Sequence, residues 1–207
     1  MNYFKLSNVL LLPVLGCGLV AGRVNAADSG WILSGDVGPS FVNTINTTTT
    51  EIFTGIQTTT HLAFKTGVRL DLDAGYQFGD SWTLEGEFGY IYNPVNLSLS
   101  TGTTSPSLYQ IPVLANCIFT LPVHWPVKPY VGAGVGLVVT GLNDLHDLNG
   151  AGQLLAGLKY DINDRVDVGV GYKLLITTPH DWDDIIDNTQ GDRSITHAIV
   201  ASVTIKF

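Results

Sequence analysis

Ile195-Thr196-His197-Ala198-Ile199-Val200-Ala201-Ser202-Val203-Thr204-Ile205-Lys206-Phe207 separates by parity into two chemically different sets. Ile195, His197, Ile199, Ala201, Val203, Ile205 and Phe207 fall on one side. Thr196, Ala198, Val200, Ser202, Thr204 and Lys206 fall on the other. Period-two alternation of this kind is the signature of a strand with one apolar face. Its length suits a tilted strand that crosses a bilayer core in about 9–11 residues, with one face to lipid and the other to a lumen. The edge strand of a soluble sandwich shows the same local pattern, so the rest of the chain decides between them.

The pattern recurs along the chain. Trp31, Leu33, Val37 and Phe41 alternate with Ser34, Asp36, Gly38 and Ser40. From Phe64 to Phe78, the apolar set Phe64, Val68, Leu70, Leu72, Ala74, Tyr76 and Phe78 opposes Lys65, Gly67, Arg69, Asp71, Asp73, Gly75 and Gln77. Gly79-Asp80-Ser81 reads as a tight turn into Trp82, Leu84, Gly86, Phe88, Tyr90 and Tyr92, with Glu85 and Glu87 on the opposite parity. Further strands run from Tyr109 to Leu121, from Tyr130 to Val139, from Gln153 to Ile162 and from Val166 to Ile176. Pro112 removes a ladder donor and predicts a bulge or bend. The inward glycines, Gly132, Gly134 and Gly136 among them, leave space for larger neighbours.

Polar segments at residues 43–61, 93–106, 141–150 and 177–194 read as long loops on one side, the Thr-rich first of them with strand extensions beyond the membrane as an alternative, alternating with short turns on the side of the termini. The expected fold is all-β: a transmembrane antiparallel up-and-down β-barrel of about eight strands, formed by residues 27–207. A soluble sandwich wants a dry two-sheet core. Here nearly every strand instead puts Gly, Asp, Glu, Lys or Arg on its inner face, where charges can pair inside a lumen. Gly132-Ala133-Gly134-Val135-Gly136 is not a dinucleotide fingerprint, because its third Gly falls one residue early and no helix pattern follows.

The front of the chain carries Lys5, an apolar run from Val9 to Val20 and the small-residue site Val24-Asn25-Ala26, which reads as a secretory signal over residues 1–26. Val14-Leu15-Gly16-Cys17 is a rival, lipoprotein-like site. Cleavage after Ala26 retains Cys117 as one cysteine, too few for an internal disulfide. A formal net charge of −8 argues against nucleic acid as a partner. With 14% charged residues, Gly 23, Trp 4 and Tyr 8, the composition fits a barrel with aromatic girdles.

Several stretches together resemble the small outer-membrane barrel family that includes the OmpA, OmpX and opacity-type, porin-like proteins. They are Gly75-Tyr76-Gln77-Phe78 with Trp82 and Leu84-Glu85-Gly86-Glu87, Ile111-Pro112-Val113-Leu114-Ala115-Asn116, Lys128-Pro129-Tyr130-Val131 running into the glycine-rich strand, Val170-Gly171-Tyr172, and the final strand. The resemblance spans most of residues 31–207. It implies the bacterial outer membrane as compartment, outer-membrane lipid as surroundings, and Phe207 as the terminal aromatic of the assembly signal read by the barrel-assembly machinery. It implies no single activity, since such proteins serve as membrane stabilisers, adhesins, surface antigens or narrow channels.

The inward set Arg69, Asp71, Asp73, Glu85, Glu87 and Lys173 is the first candidate site. A three-residue turn at 79–81 pairs Phe78 with Trp82 and places Asp73 across from Glu87. Like charges directly opposite are destabilising, so Arg69 or Lys173 is expected to bridge them in a structural, salt-bridged plug, with a gated ion path as the alternative. His180, Asp181, Asp183, Asp184 and Asp187, with Asp144, His146 and Asp147 at the same level, lack the EF-hand spacing and read as solvated loop rather than a metal site. His197 has no hydroxyl nucleophile on its own face, Ser202 having the wrong parity, and reads as an interfacial residue. No catalytic constellation and no cofactor motif is expected. The expected role is structural or in cell-surface interaction through extracellular loops and their ligands. A narrow channel for ions or small solutes is the alternative, and a lipid-modifying enzyme the third reading.

Overall fold

A computed structural model describes residues 29–51, 57–95, 107–142, 145–183 and 187–207. The expected signal segment, residues 1–26, and most of the expected loop at 93–106 lie outside the described residues. The chain forms β1 (Gly30–Val42), β2 (Ile45–Glu51), β3 (Gln57–Leu62), β4 (Gly67–Phe78), β5 (Trp82–Pro94), β6 (Ser107–Thr120), β7 (Val127–Leu142), β8 (Leu145–Asn163), β9 (Val166–Thr177), β10 (His180–Asp183), β11 (Asp187–Gly191) and β12 (Ile195–Lys206). Eight of these close an antiparallel barrel in the order β1-β12-β9-β8-β7-β6-β5-β4, with β4 returning to β1. Closure leaves no unpaired edge in the membrane, as a bilayer core without water requires.

The parity read from the sequence is the parity of the barrel. Leu33, Leu72, Phe88, Val135, Leu154, Val170 and Val203 face outward and are exposed, whereas Ser34, Asp71, Glu87, Gln153 and Thr204 are buried within. Four outward pairs are spaced ten residues apart along their strands: Trp31 and Phe41, Trp82 and Tyr92, Phe119 and Tyr109, Phe207 and His197. At ~3.3 Å per residue and a tilt of ~40°, ten residues rise about 25 Å, the height of a lipid-facing apolar band between its aromatic girdles. The girdle at the end of the termini is packed edge to face, with Trp31 and Tyr76 centroids 5.4 Å apart and Tyr76 and Phe78 4.9 Å apart.

The short turns fall where expected. Phe78 pairs with Trp82 and Asp73 with Glu87, and the turn between them uses Gly79 at φ 60, a left-handed conformation that favours glycine. Three expectations are corrected or extended. Pro112 makes no bulge: the pairs Phe88–Val113 and Ile91–Gln110 keep one register on either side of it. Gly89 lies opposite, and a Cβ there would approach the proline ring to 2.7 Å, so the missing side chain accommodates the ring without a shift of register. The register shift occurs instead between Asp161 and Asn163, at the end of β8.

The second concerns residues 141–150. Their described residues are not a loop but paired strand, with Gly141 opposite His146 and Thr140 opposite Asp147, which prolongs the β7–β8 ladder to the pair Leu142–Leu145. The third concerns the segments 43–61 and 177–194, of which only the first was expected to carry strand extensions beyond the membrane. Their described residues include β2, β3, β10 and β11, a second, four-stranded sheet in the order β10-β11-β2-β3 beyond the barrel end opposite the termini. Thr47 to Thr50 pair with Thr60 to Gln57 on one side and with Gly191 to Asn188 on the other. Threonine is a favoured strand residue, and two threonine-rich runs in register provide cross-strand pairs that the polar composition disguised as loop.

If the outward face of β12 meets lipid, Val203→Arg will destabilise the refolded barrel by about 2–4 kcal/mol, while Ile195→Arg at the rim will cost only about 0–1 kcal/mol. Denaturant titration in lipid vesicles measures both. Equal costs would contradict the lipid-facing assignment.

Candidate functional site: a charge network across the lumen

Glu87 is the centre of the lumen. It is 2% exposed and accepts from Arg69 Nη2 at 2.6 Å, Lys173 Nζ at 3.0 Å, Gln153 Nε2 at 2.9 Å and Asn116 Nδ2 at 3.0 Å. Both cations are shared. Arg69 Nε also binds Asp71 at 2.7 Å and its Nη2 donates to Gln153 Oε1 at 2.6 Å, while Lys173 reaches Asp71 at 2.8 Å and Asp36 at 2.7 Å. The side chains come from β1, β4, β5, β6, β8 and β9, so six of the eight barrel strands are tied into one network, five of them at Glu87 itself and β1 through Lys173. A charge removed from water is tolerated only when paired and fully hydrogen-bonded, a condition that Glu87 meets with its two oxygens.

Of the six residues singled out by sequence, Arg69, Asp71, Glu87 and Lys173 are joined directly. Glu85 is attached by a longer contact, Asn116 Nδ2 to Glu85 Oε1 at 3.4 Å. Asp73 departs from expectation. It lies opposite Glu87 in the ladder, but neither cation bridges the two, and its Oδ1 is buried without a hydrogen-bond partner. For Lys173 the reason is donor count: an ammonium has three N–H groups, and they go to Asp36, Asp71 and Glu87. Arg69 keeps an unpartnered Nη1, so there the limit is reach rather than donors. Asp36, Asn116 and Gln153 complete the network without having been singled out, although the inward parity of Asp36 was already visible. What sequence could not supply was how far each side chain reaches across the barrel.

Two apolar clusters flank these charges inside the barrel. Ile91, Leu114, Val138 and Leu175, with Ala151 against them, form one; Ile118, Tyr130 and Leu155 form the other. The inward glycines are filled by named neighbours. The Tyr130 ring occupies the space where a Cβ of Gly157 or Gly171 would lie, Asn116 that of Gly134, and Leu114 that of Gly136. An eight-stranded barrel is just wide enough for its own side chains, and here they interlock.

Toward the end opposite the termini a neutral network follows, in which Gln110 donates to Ser194 at 3.0 Å and accepts from Thr196 at 2.8 Å, and Ser40 donates to Asn93 at 2.9 Å. At the end of the termini, a cavity of about 590 Å³ is lined by Lys128, Asp161, Lys206 and Phe207 among others. There Lys128 pairs with Asp161 at 2.6 Å and Lys206 with Asp167 at 2.7 Å. Phe207 itself is exposed, its backbone N–H donating to the Trp31 carbonyl at 3.0 Å.

His197 accepts no serine. Its Nδ1 faces the Tyr172 hydroxyl at 2.5 Å, and Ser202 lies on the inner face against Gly169. The acidic residues at 181, 183 and 187 fall on β10 and β11 rather than in a loop, and Asp184 lies outside the described residues.

Removing one cation from the network strands several buried carboxylates. Lys173→Met will therefore cost about 3–5 kcal/mol, whereas Lys128→Met, at a half-exposed pair, will cost under about 1 kcal/mol. Equilibrium unfolding of the two variants against wild type measures the contrast, and equal costs would mean that the lumen charges are solvated.

Comparison with known proteins agrees with this architecture. The model of the outer membrane protein beta-barrel domain family matches residues 10–207. No curated protein sequence matches the chain significantly. Among solved structures, OprG from Pseudomonas aeruginosa is similar at a TM-score of 0.59 and 16% identity, covering 86% of this chain and 96% of that one. The outer membrane protein AlkL, solved in lipid bilayers, gives 0.58 and 14%, covering 91% and 94%. Neisserial surface protein A gives 0.52 and 19%, covering 86% and 99%. At such identities the likeness establishes the fold. The family match extends over nearly the whole chain, and the protein accordingly belongs to the outer membrane protein beta-barrel domain family and resides in the bacterial outer membrane.

Proposed function

We propose that this protein is a closed barrel whose work is done at the cell surface, as a structural and interaction platform rather than a pore or an enzyme. The observation that carries the reading is the contrast between the two ends of the molecule. The lumen is cross-tied by side chains from six strands, five of which meet at Glu87, whereas β2, β3, β10 and β11 pair as a sheet past the barrel. Binding is usually located in connections held by a rigid scaffold. A sheet braced by two hairpins is a better preorganised surface than free loops, because less conformational entropy is lost when a partner docks. The pairing of His197 with Tyr172 likewise supports a non-catalytic reading of that histidine.

A narrow channel is the second reading. It is favoured by the polar cavity at the end of the termini and by the unpartnered Oδ1 of Asp73. Planar-bilayer conductance of the refolded protein, wild type beside Glu87→Gln, separates the two. A closed platform predicts a nearly silent wild type. Steady, ion-selective wild-type conductance that changes in Glu87→Gln would replace the platform by the channel.

A further inference from the structure

Two tyrosine–histidine pairs stand on the outward face of the barrel, away from the lumen network. The Tyr172 hydroxyl lies 2.5 Å from His197 Nδ1, with ring centroids 6.0 Å apart; the Tyr109 hydroxyl lies 2.6 Å from His146 Nδ1, with centroids 5.8 Å apart. Tyr109 and His146 belong to strands that are not neighbours, β6 and β8, and meet across Gly141 of β7. A Cβ on Gly141 would come within 2.1 Å of the tyrosine ring, so the absent side chain is the slot through which Tyr109 reaches its histidine.

Both pairs occupy the girdle at the end opposite the termini. His197 stands ten residues from Phe207 and Tyr109 ten from Phe119, the interval that also separates Trp31 from Phe41 and Trp82 from Tyr92. That interval rises about 25 Å, from one edge of the apolar band to the other. Each pair therefore sits where hydrocarbon gives way to headgroups.

A phenol donates more readily than it accepts when it faces a neutral imidazole nitrogen. With Nδ1 accepting from the tyrosine, the ring proton is carried on Nε2. Among the described residues neither Nε2 has a hydrogen-bond partner. Each pair thus offers one oriented N–H donor at the lipid boundary, where leaving it unsatisfied is costly. The strongest acceptors at that height are phosphate oxygens, whose charge strengthens the bond. We propose that His146 and His197, each fixed in its tautomer by a tyrosine, are two binding sites for the phosphate groups of outer-leaflet lipid headgroups.

Solid-state NMR of the full chain, labelled with ¹⁵N-histidine, tests this through ³¹P dephasing of the Nε2 signals. In bilayers of diphosphoryl lipid A, His146 and His197 should dephase, and His61 in the surface sheet should not. In bilayers of a phosphate-free glycolipid with inorganic phosphate in the buffer, dephasing should be lost at both sites. Tyr172→Phe should abolish it at His197 and retain it at His146, and Tyr109→Phe should do the converse, with the Nδ1 shift of the affected ring changing in each. The inference is overturned by absence of dephasing in lipid A, by equal dephasing with free phosphate, or by dephasing indifferent to the loss of its tyrosine.

Discussion

Glu87 has to be satisfied in a space that water does not reach freely, and much of the interior is arranged around that requirement. Its two oxygens take Arg69, Lys173, Gln153 and Asn116, and each of those groups except Asn116 serves as a link to a further strand's acceptor or to Asp71 and Asp36. A buried ion pair is weak evidence of net stability, because the desolvation of both charges offsets the attraction. Its effect on geometry is stronger. With five strands converging on one carboxylate and β1 joined to it through Lys173, a slip of any of them by one residue would reverse side-chain parity and turn a polar group of the network toward lipid.

Packing answers the same constraint. Where the network occupies space, the neighbouring strand withdraws: β7 presents Gly132, Gly134 and Gly136 to the lumen, and Asn116 and Leu114 lie over two of them. Tyr130 does the same over Gly157 and Gly171, from which it forms part of the apolar cluster with Ile118 and Leu155. The glycines are thus complements of particular large residues. The charges are enclosed between apolar side chains rather than standing in an open polar tube, which is the arrangement in which their mutual attraction is least screened.

The barrel was legible in the sequence because parity is a local property. Arg69, Asp71 and Asp73 on one parity and Leu70, Leu72 and Ala74 on the other suffice to orient β4, and the turn at 79–81 then fixes its register against β5. Reach across the lumen is not local. That Lys173 would satisfy Asp36 and omit Asp73 depends on the cross-section of the closed barrel, which no single strand encodes. The pairing and extent of the surface sheet were not legible for a different reason. Thr47 to Thr50 and Thr58 to Thr60 have strand propensity without an apolar face, so hydrophobic alternation, the signal that found the barrel, is silent there.

The central claim is that the charge network lies in a water-excluded interior. Hydrogen exchange at the side-chain Nε of Arg69, measured by NMR on the protein in lipid bilayers and referred to the exposed Arg165, tests it most directly. Enclosure between the apolar clusters and the bonds to Asp71 predicts exchange at Arg69 slower by orders of magnitude. Exchange of the two arginines at the same rate would contradict the account.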